Sequence, residues 1–379
     1  MLKQTKMSKL LKIAVPVATL ALLLGLWAWA SFGGVAGSSY DSALDVSTLF
    51  TNRDQRQTAD LTGAVTYAVS DGSDISITAA GVYVLTGSAQ NVTVCVEAGD
   101  EDKVQLVLDG LEVVNDDFPV VYVKNADKVF LTTAEGSENS LSVTGSFVKD
   151  GSTKTDAVVF CRDDLVLNGL GSLRISSSDD GICCKDGIKF TGGSLSITAA
   201  DCAIVVNDFF AMSDGAVTLA AQNDGVHAEN SDDDSLGWIY IGGGSVSIDV
   251  SDDALHAVSI AQIDGGSLQI AAAEGIEATW VQINGGELTI SATGDGINGA
   301  WKSSAYSALV EINGGTLDVS VGEGDTDGVD SNGDLTITGG TVRVNAQSAF
   351  DWDGVLTWTG GAVIVNGTEV TELTNQLGA

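Results

Sequence analysis

The sequence predicts an all-β protein folded as a right-handed, three-faced parallel β-helix, with about 22 residues in each turn of the coil. Two observations predict this fold. An acidic residue, a glycine and a β-branched residue recur along the chain, as in Asp295-Gly296-Ile297. A Gly-Gly pair or its equivalent also recurs, and its second glycine falls at Gly171, Gly193, Gly215, Gly244, Gly266, Gly286, Gly315, Gly340 and Gly361. Repeats at this spacing indicate a solenoid, because each unit must bury its apolar face against its neighbours.

The length of the repeat favours three strands per turn. Strands rise about 3.3 Å per residue, so about 22 residues accommodate three short strands and three bends. Left-handed coils built on hexapeptides would show a rhythm of about 18 residues, which this chain lacks. Equivalent residues of successive turns then lie about 4.8 Å apart and form columns. The predicted inward column is Leu195, Val217, Val246, Leu268, Leu288, Leu317, Val342 and Val363.

The chain divides into four predicted segments. Residues 1–30 contain four lysines followed by the apolar run Ile13–Ala30, which indicates a signal peptide or, given the length of the run, an N-terminal membrane anchor. Residues 31–61 are expected to form a linker and an N-terminal cap, residues 62–367 the β-helix, and residues 368–379 a C-terminal tail. In either case we expect a secreted or cell-surface, extracytoplasmic protein that meets a membrane only through its N-terminal segment.

Charge and cysteine content narrow the range of partners. The 17 Lys and Arg against 51 Asp and Glu give a net charge of −34, which excludes nucleic acid as a partner because phosphate binding needs a basic face. An acidic polysaccharide would also be repelled unless a cation lay between. The five cysteines include no Cys-x-x-Cys motif, and Cys161 and Cys184 occupy the same repeat position. Buried thiols are favoured over a disulfide framework, and whether these two cysteines pair stays open.

Acidic residues recur at positions that the coil would stack. Two carboxylates about 4.8 Å apart repel by on the order of 1 kcal/mol in water and several times more at lower dielectric, so a bridging cation would relieve the column. Hard oxygen ligands suit Ca²⁺. The alternative is that each Asp-Gly pair forms a turn in which the side chain accepts a backbone N–H. The sequence predicts one or more calcium ions at Glu274, Glu277, Asp295, Asn298, Asp325, Asp327, Asp330, Asp351 and Asp353.

Aromatic residues suggest a carbohydrate-binding surface. Trp280 and Trp301 follow the acidic motif at the same offset, so we expect them to be neighbours in adjacent turns, where their indoles could stack against sugar rings. The alternative is that a loop covers both. Two insertions, at residues 231–240 and 302–308, leave the coil at the same point of the repeat and carry Trp238, Tyr240 and Tyr306. Loops that protrude from a regular scaffold commonly carry binding residues.

Several segments together resemble a known bacterial family. They are Leu49–Asp54, Ala80–Gly87, Val104–Gly110, Tyr122–Val129, Asp163–Leu173, Asp180–Gly187, Glu274–Ala278, Asp295–Asn298 and Asp327–Gly333. The sequence resembles secreted carbohydrate-binding proteins with a pectate-lyase-like parallel β-helix. This resemblance implies extracellular binding of plant-type or acidic (uronate) polysaccharide, with calcium held on the coil by the acidic motifs at Glu274, Glu277, Asp295, Asn298, Asp327 and Asp330. The sequence departs from the family at Cys202-Ala203, where an acid-Gly pair is usual.

Three functions remain open at this point. The leading hypothesis is a calcium-containing polysaccharide-binding protein that does not cleave its ligand. A calcium-dependent polysaccharide lyase is the second, although such enzymes need a Lys or Arg base and only Lys302 lies near the predicted calcium cluster. The third is a structural or adhesive protein of the cell envelope that associates with copies of itself.

Overall fold

A computed structural model describes residues 42–324 and 326–376. The predicted signal peptide or anchor, Asp325 and residues 377–379 lie outside this range. The described residues form strands, bends and turns without a helix, and no helix long and apolar enough to cross a membrane occurs among them. The prediction of an all-β chain is therefore confirmed.

The described residues contain thirty-four strands. The first seventeen are β1 (Val65–Ala68), β2 (Ile75–Ile77), β3 (Gly81–Gln90), β4 (Val94–Glu97), β5 (Lys103–Asn115), β6 (Val121–Asn125), β7 (Lys128–Thr133), β8 (Glu138–Val143), β9 (Ala157–Cys161), β10 (Asp164–Gly169), β11 (Ser172–Ser177), β12 (Asp180–Cys184), β13 (Gly187–Phe190), β14 (Ser194–Ala199), β15 (Ile204–Val206), β16 (Phe209–Met212) and β17 (Ala216–Ala221). The others are β18 (Val226–Ala228), β19 (Trp238–Ile241), β20 (Ser245–Val250), β21 (Asp253–Ile263), β22 (Ser267–Ala272), β23 (Glu274–Ile283), β24 (Glu287–Ala292), β25 (Ile297–Gly299), β26 (Leu309–Ile312), β27 (Thr316–Val321), β28 (Asp327–Ser331), β29 (Asp334–Ile337), β30 (Thr341–Asn345), β31 (Ser348–Trp352), β32 (Leu356–Trp358), β33 (Ala362–Val365) and β34 (Thr368–Val370).

Parallel pairing of each strand with its equivalent in the next turn creates three faces. The first sheet contains β1, β3, β5, β7, β10, β13, β16, β19, β21, β23, β26, β29 and β32. The second contains parts of β3 and β5, then β8, β11, β14, β17, β20, β22, β24, β27, β30 and β33. The third contains β2, β4, β6, β9, β12, β15, β18, the first halves of β21 and β23, and β25, β28 and β31. The chain is thus a three-faced parallel β-helix.

The core follows the predicted inward column. Leu195 pairs with Val217, Leu268 with Leu288, and the same register continues to Val363. All eight residues of this column are at most 5% exposed. Alternate residues of each strand point outward, so the strands of the second sheet alternate between buried and exposed positions. The apolar interior of the coil therefore comes from a period-two pattern stacked in register.

The second glycine of each Gly-Gly pair makes a bend between strands. Gly286 has a φ of 92°, which L-residues rarely adopt, and a Cβ there would lie 2.9 Å from the carbonyl oxygen of Gly266 in the preceding turn. Both the backbone conformation and the close approach of the next turn exclude a side chain. This explains why the glycine recurs in each turn.

Residues 42–57 lie against the middle of the coil. Gln262 accepts a hydrogen bond from the backbone N–H of Leu44 at 2.7 Å, and Gln57 accepts one from Gly169 at 2.9 Å. Asp54 is 1% exposed and lies 3.4 Å from Lys189. These residues, which we call the strap, contact the outside of the first sheet, a placement different from the cap over the first coil that we expected. Polar side chains on distant turns hold the strap, so no local pattern indicates its position.

The C-terminal end of the coil is closed by a hairpin. β34 pairs antiparallel with β33, so that Val363 lies opposite Val370 and Val365 lies opposite Thr368. Residues 368–370 of the predicted tail thus extend the second sheet. The five cysteines are all free thiols in this structure, and four of them, including Cys161 and Cys184, are buried.

Candidate functional site

One outward column of the third sheet collects the polar chemistry that the sequence predicts. Its residues pair turn by turn in the order Ser76, Cys95, Tyr122, Phe160, Cys183, Val205, His227, His256, Glu277, Asn298, Asp330 and Asp351. We call it the third-sheet column. It is aromatic and apolar in its first half, then carries two histidines, and ends in acids and an amide. The predicted stacking of Glu277 on Asn298 and of Asn298 on Asp330 is confirmed.

The acidic motif brings the turns into close contact. A Cβ at Gly275 would lie 2.3 Å from the carbonyl oxygen of Gly296, so glycine is required beside the acid. The acid itself ties one turn to the next: Asp224 accepts the backbone N–H of Asp253 at 3.1 Å. Asp295 accepts that of Asp327 at 2.7 Å. These acids therefore accept backbone N–H groups, as the alternative to a calcium site predicts. Each acid uses one of its two carboxylate oxygens for this hydrogen bond.

The carboxylates of two of the acidic motifs each contact a histidine. Asp224 Oδ2 lies 2.6 Å from Nδ1 of His227, and Asp253 Oδ2 lies 2.7 Å from Nδ1 of His256. The two imidazole rings stack with centroids 4.6 Å apart. Although burial opposes it, hydrogen bonding to Asp253 and Glu277 raises the pKa of His256 to about 10. His256 is therefore a cation at neutral pH, and it neutralises the surrounding carboxylates.

Glu277 lies between this cation and a second one. It is 6% exposed, 3.1 Å from His256 Nδ1 and 2.9 Å from Lys302 Nζ. Burial opposes ionisation, but these two partners lower the pKa of Glu277 below its ordinary value. Asn298 donates to Glu274 at 3.1 Å, yet burial and the negative charge of Glu277 raise the pKa of Glu274 to about 7. These two glutamates of the predicted calcium cluster already have protein partners.

The next turns of the third-sheet column carry oxygen atoms without a cationic partner among the described residues, although Asn332 donates to Asp330 at 3.3 Å. Asn298, Asp330 and Asp351 occupy consecutive turns. Oδ1 of Asn298 and Oδ1 of Asp351 are buried and have no hydrogen-bond partner among the described residues. Burial, followed by the negative charges around it, raises the pKa of Asp330 to about 7. Two unsatisfied oxygens therefore flank a carboxyl group that ionises with difficulty. The residues whose charges act on it are Asp295, Asp327, Asp351 and Asp353.

These residues offer carboxylate and amide oxygens, whereas Glu277 in the preceding turn is already paired with His256 and Lys302. Calcium binds carboxylate and amide oxygens, and buried oxygens without partners incur a free-energy cost that a cation would remove. We call Asn298, Asp330 and Asp351, with the neighbouring Asp295 and Asp327, the acidic end of the column. Asp353 is exposed beside it, and Asp325 lies outside the described residues.

The predicted tryptophan pair is not formed. Trp280 pairs with Leu309 in the next turn and donates from Nε1 to Glu311 at 3.0 Å. Trp301 is 62% exposed and donates from Nε1 to the carbonyl of Asn332 at 2.8 Å. The prediction of adjacent indoles is wrong because β25 ends at Gly299, so Trp301 lies after the strand, next to the insertion, and Leu309 takes the position that pairs with Trp280. Trp301 still presents its ring to solvent.

The two insertions, predicted to leave the coil at the same point of the repeat, also contact each other. Ser303 donates to the carbonyl of Asp234 at 2.6 Å, which joins the insertion of residues 302–308 to that of 231–240. Tyr306 lies with its ring 6.4 Å from that of Trp280. Trp238 stacks on Phe209 at 4.5 Å between centroids. Aromatic residues therefore border the third-sheet column, although they do not form one continuous strip.

Tyr240 does not belong to this aromatic border. It is 7% exposed, donates to Asp264 at 3.2 Å and packs with its ring 6.2 Å from Phe50 of the strap. Its predicted role in contacting a glycan from solvent is therefore wrong. The strap covers this part of the first sheet, and nothing in the sequence around Tyr240 indicates that.

Sequence reasoning also missed the pairing of basic and aromatic residues at the other end of the column. Lys124 lies 5.0 Å from the Tyr122 ring centre and Lys185 lies 5.8 Å from that of Phe160. The sequence carries a weak signal of this pairing. Lys124 follows the column residue Tyr122 by two positions, and Lys185 follows the column residue Cys183 by two positions. In a chain this acidic, recurrent lysines at one repeat position would have pointed to this end.

The fold and the third-sheet column define a parallel β-helix whose polar outer face is available to ligands. Three comparisons with known proteins agree with this class. The family described as carbohydrate-binding domain-containing protein matches residues 71–282 and 273–371. A carbohydrate-binding domain-containing protein of Acetivibrio thermocellus is 34% identical over 200 residues, which is 52% of this chain and 70% of that protein. The chain belongs to this family of carbohydrate-binding domain-containing proteins.

A solved structure is also similar. The polysaccharide lyase-like protein from C. thermocellum, in a gadolinium derivative, matches with a TM-score of 0.50 and 23% identity over 59% of this chain and 96% of that chain. At this identity the likeness supports the fold alone. The prediction of a β-helix like that of a polysaccharide lyase-like protein is thereby confirmed.

Proposed function

We propose that this protein is an extracellular polysaccharide-binding protein that holds calcium at the acidic end of the column and recognises plant-type or acidic (uronate) glycans without cleaving them. Family membership supports the carbohydrate partner. The extracellular location rests on residues 1–30, whose lysines and apolar run are typical of a secretory signal or anchor.

One observation carries the calcium part of the proposal. Among the described residues, the buried Oδ1 atoms of Asn298 and Asp351 lack hydrogen-bond partners on either side of Asp330, whose pKa of about 7 reflects burial and the crowding of like charges. Calcium at these residues would supply a positive charge to which the carboxylate of a uronate could bind, in spite of the net charge of −34. The exposed indole of Trp301 nearby in sequence would contribute a flat apolar surface for a sugar ring.

Binding is favoured over cleavage because the two bases beside the acidic residues, His256 and Lys302, are both paired with Glu277. A lyase needs a neutral base beside the metal. Lys302 donates to Glu277, and although burial opposes it, this interaction raises the pKa of Lys302 above its ordinary value. The position of Lys302 beside the acids nevertheless keeps a calcium-dependent lyase as the second candidate. Incubation with polygalacturonate and calcium tests it, since a lyase would produce the absorbance of an unsaturated uronate product.

The calcium site is tested by calorimetry and glycan binding on the same samples. The parent should take up calcium in the micromolar-to-millimolar range and retain polygalacturonate in calcium better than in excess chelator. Asp330→Asn should weaken both. Asp249→Asn is the matched control, because Asp249 is an exposed outward residue of the second sheet and its loss changes the net charge equally.

These measurements distinguish the calcium site, the polysaccharide-binding function and a structural role from one another. A parent that takes up no calcium, or Asp330→Asn that takes up as much as the parent, would remove the calcium site. Failure to retain any polysaccharide in calcium would remove the binding function. The third hypothesis, a structural or adhesive protein, predicts self-association, which sizing with and without chelator would detect.

A further inference from the structure

A pocket of about 470 Å³ opens beside the aromatic half of the third-sheet column. It is lined by Thr153, Lys154, Asp156, Phe160, Arg162 and Lys185. Three of these six side chains are cationic and one is a carboxylate, in a chain where acids outnumber Lys and Arg by 51 to 17. Its volume lies within the range of about 300–1,000 Å³ that is typical of small-ligand sites.

Among the described residues, two of the three cations form no direct ion pair with a carboxylate. Lys154 lies 2.6 Å from Asp156, which accounts for the carboxylate of the pocket. Arg162 donates to the hydroxyl of Thr153, and Lys185 lies over the ring of Phe160 at 5.8 Å. Neither Arg162 nor Lys185 forms an ion pair with a carboxylate anywhere in the part of the chain that the structure describes. With so many acids available, two cations in one pocket without a direct ion pair favour a site that takes an anion from outside.

The walls of the pocket are fixed before a ligand arrives. Phe160 is fully buried and forms an edge-to-face contact with Tyr122, with ring centroids 5.8 Å apart. The hydroxyl of Tyr122 donates to Asp150 at 3.0 Å, and Lys124 lies 3.0 Å from the same carboxylate. These contacts tie the loop that carries Thr153 and Lys154 to the third sheet. A site held in this way loses little conformational entropy on binding.

We propose that this basic pocket is a second glycan subsite, which binds the carboxylate of one uronate unit directly through Arg162 and Lys185 and without calcium. The inference rests on the proposed polysaccharide-binding function. Arg162 offers a planar set of N–H donors that matches a carboxylate, and Lys185 adds a point charge. Phe160 and Asn298 belong to the same column six turns apart, about 29 Å at the spacing of parallel strands. One extended chain lying along the third sheet could therefore meet both subsites.

The test measures binding of short oligogalacturonates in excess chelator, so that calcium cannot contribute. The parent should bind, and affinity should fall as salt is raised because the contacts are charged. Arg162→Gln and Lys185→Gln should each lower the affinity by roughly tenfold or more. Arg174→Gln is the matched control, since Arg174 is an exposed residue of the second sheet and its replacement removes the same charge. All three variants should keep the thermal stability of the parent because the replaced side chains are exposed.

The outcomes distinguish this proposal from the proposed function. A parent that binds oligogalacturonate in calcium but not in chelator would overturn the basic pocket and leave the calcium site intact. Variants at Arg162 and Lys185 that bind like the parent would also overturn it. Binding of sulfated but not uronate oligomers would refute the carboxylate assignment. Binding to neither in any condition would refute the proposed function itself.

Discussion

Replacing Asp330 by Asn should have opposite effects on stability with and without calcium. In chelator the parent buries a carboxyl group surrounded by the charges of Asp295, Asp327, Asp351 and Asp353. Asparagine keeps the shape of the side chain and removes the charge. The variant should therefore be more stable than the parent when no cation is present, and less stable when calcium is bound.

The size of the expected stability difference between the parent and Asp330→Asn follows from the pKa of Asp330. A rise from 3.8 to about 7 corresponds to at most ~4 kcal/mol, at about 1.36 kcal/mol for each tenfold change in the proton equilibrium. Because the carboxyl group is partly exposed, solvent screening reduces this to roughly 1–3 kcal/mol. For a chain of this length that is a difference in melting temperature of roughly 1–4 °C.

The dependence on pH has a definite sign. Below pH 3.8 the carboxyl group is protonated in both the folded and the unfolded chain, so the parent and the variant should have similar stability. As the pH rises from about 4 to about 7, the folded state retains a proton that the unfolded state releases, and the parent loses stability. Above pH 7 the full difference is present. In calcium the same ionised group is a ligand, and the parent gains stability as the calcium concentration exceeds the dissociation constant.

Thermal unfolding at pH 5, 7 and 8, in chelator and in millimolar calcium, measures all of these effects. Asp249→Asn is the control for a general change in net charge and should follow the parent in every condition. If Asp330→Asn melts below the parent in chelator at pH 8, the carboxyl group is stabilised by contacts that this reasoning omits. If calcium raises the melting temperature of variant and parent equally, the ion binds elsewhere.

Three further predictions concern other parts of the coil. Trp301→Ala should weaken polysaccharide retention roughly tenfold in affinity electrophoresis without lowering the melting temperature, because the indole is 62% exposed. Gly286→Ala should lower stability by more than ~2 kcal/mol, whereas Gly367→Ala should cost only ~1 kcal/mol, since both have positive φ but only Gly286 faces a backbone oxygen within 3 Å. His256→Gln should destabilise the chain at pH 7, and pH titration of unfolding should show the difference closing as the pH passes about 10, where the histidine of the parent loses its proton.

Periodicity predicts most of the fold because the interactions that hold it repeat. The inward leucines and valines, the bend at Gly286 and the pairing of Glu277 with Asn298 each depend on residues about one turn apart, so their spacing is visible in the sequence. A parallel coil converts sequence period into spatial adjacency, and register errors would expose the apolar column. The acidic end of the column was predictable for the same reason.

The features that the sequence did not predict are those that break the period. Trp301 follows the end of a strand and therefore leaves the column that its offset suggests. The strap crosses the first sheet and buries Tyr240 and Gln262 through contacts more than 180 residues away in sequence. Such contacts have no local pattern. The insertions could be located as departures from the period, but their mutual contact at Ser303 required the structure.

The net charge of −34 shapes how this protein could hold an acidic polymer. A polyanion approaching such a surface is repelled except where positive charge is concentrated. The described residues offer two such places on one face: Arg162 and Lys185 at the aromatic half of the third-sheet column, and the calcium proposed beside Asp330 at its acidic end. Between them His227 and His256 carry raised pKa values, although burial opposes this, because Asp224 and Asp253 stabilise their charged forms. The two histidines therefore offset the negative charge of the carboxylates in the middle of the column. A polyanion lying along the column would be attracted at both ends and would be repelled less in between than elsewhere on the coil.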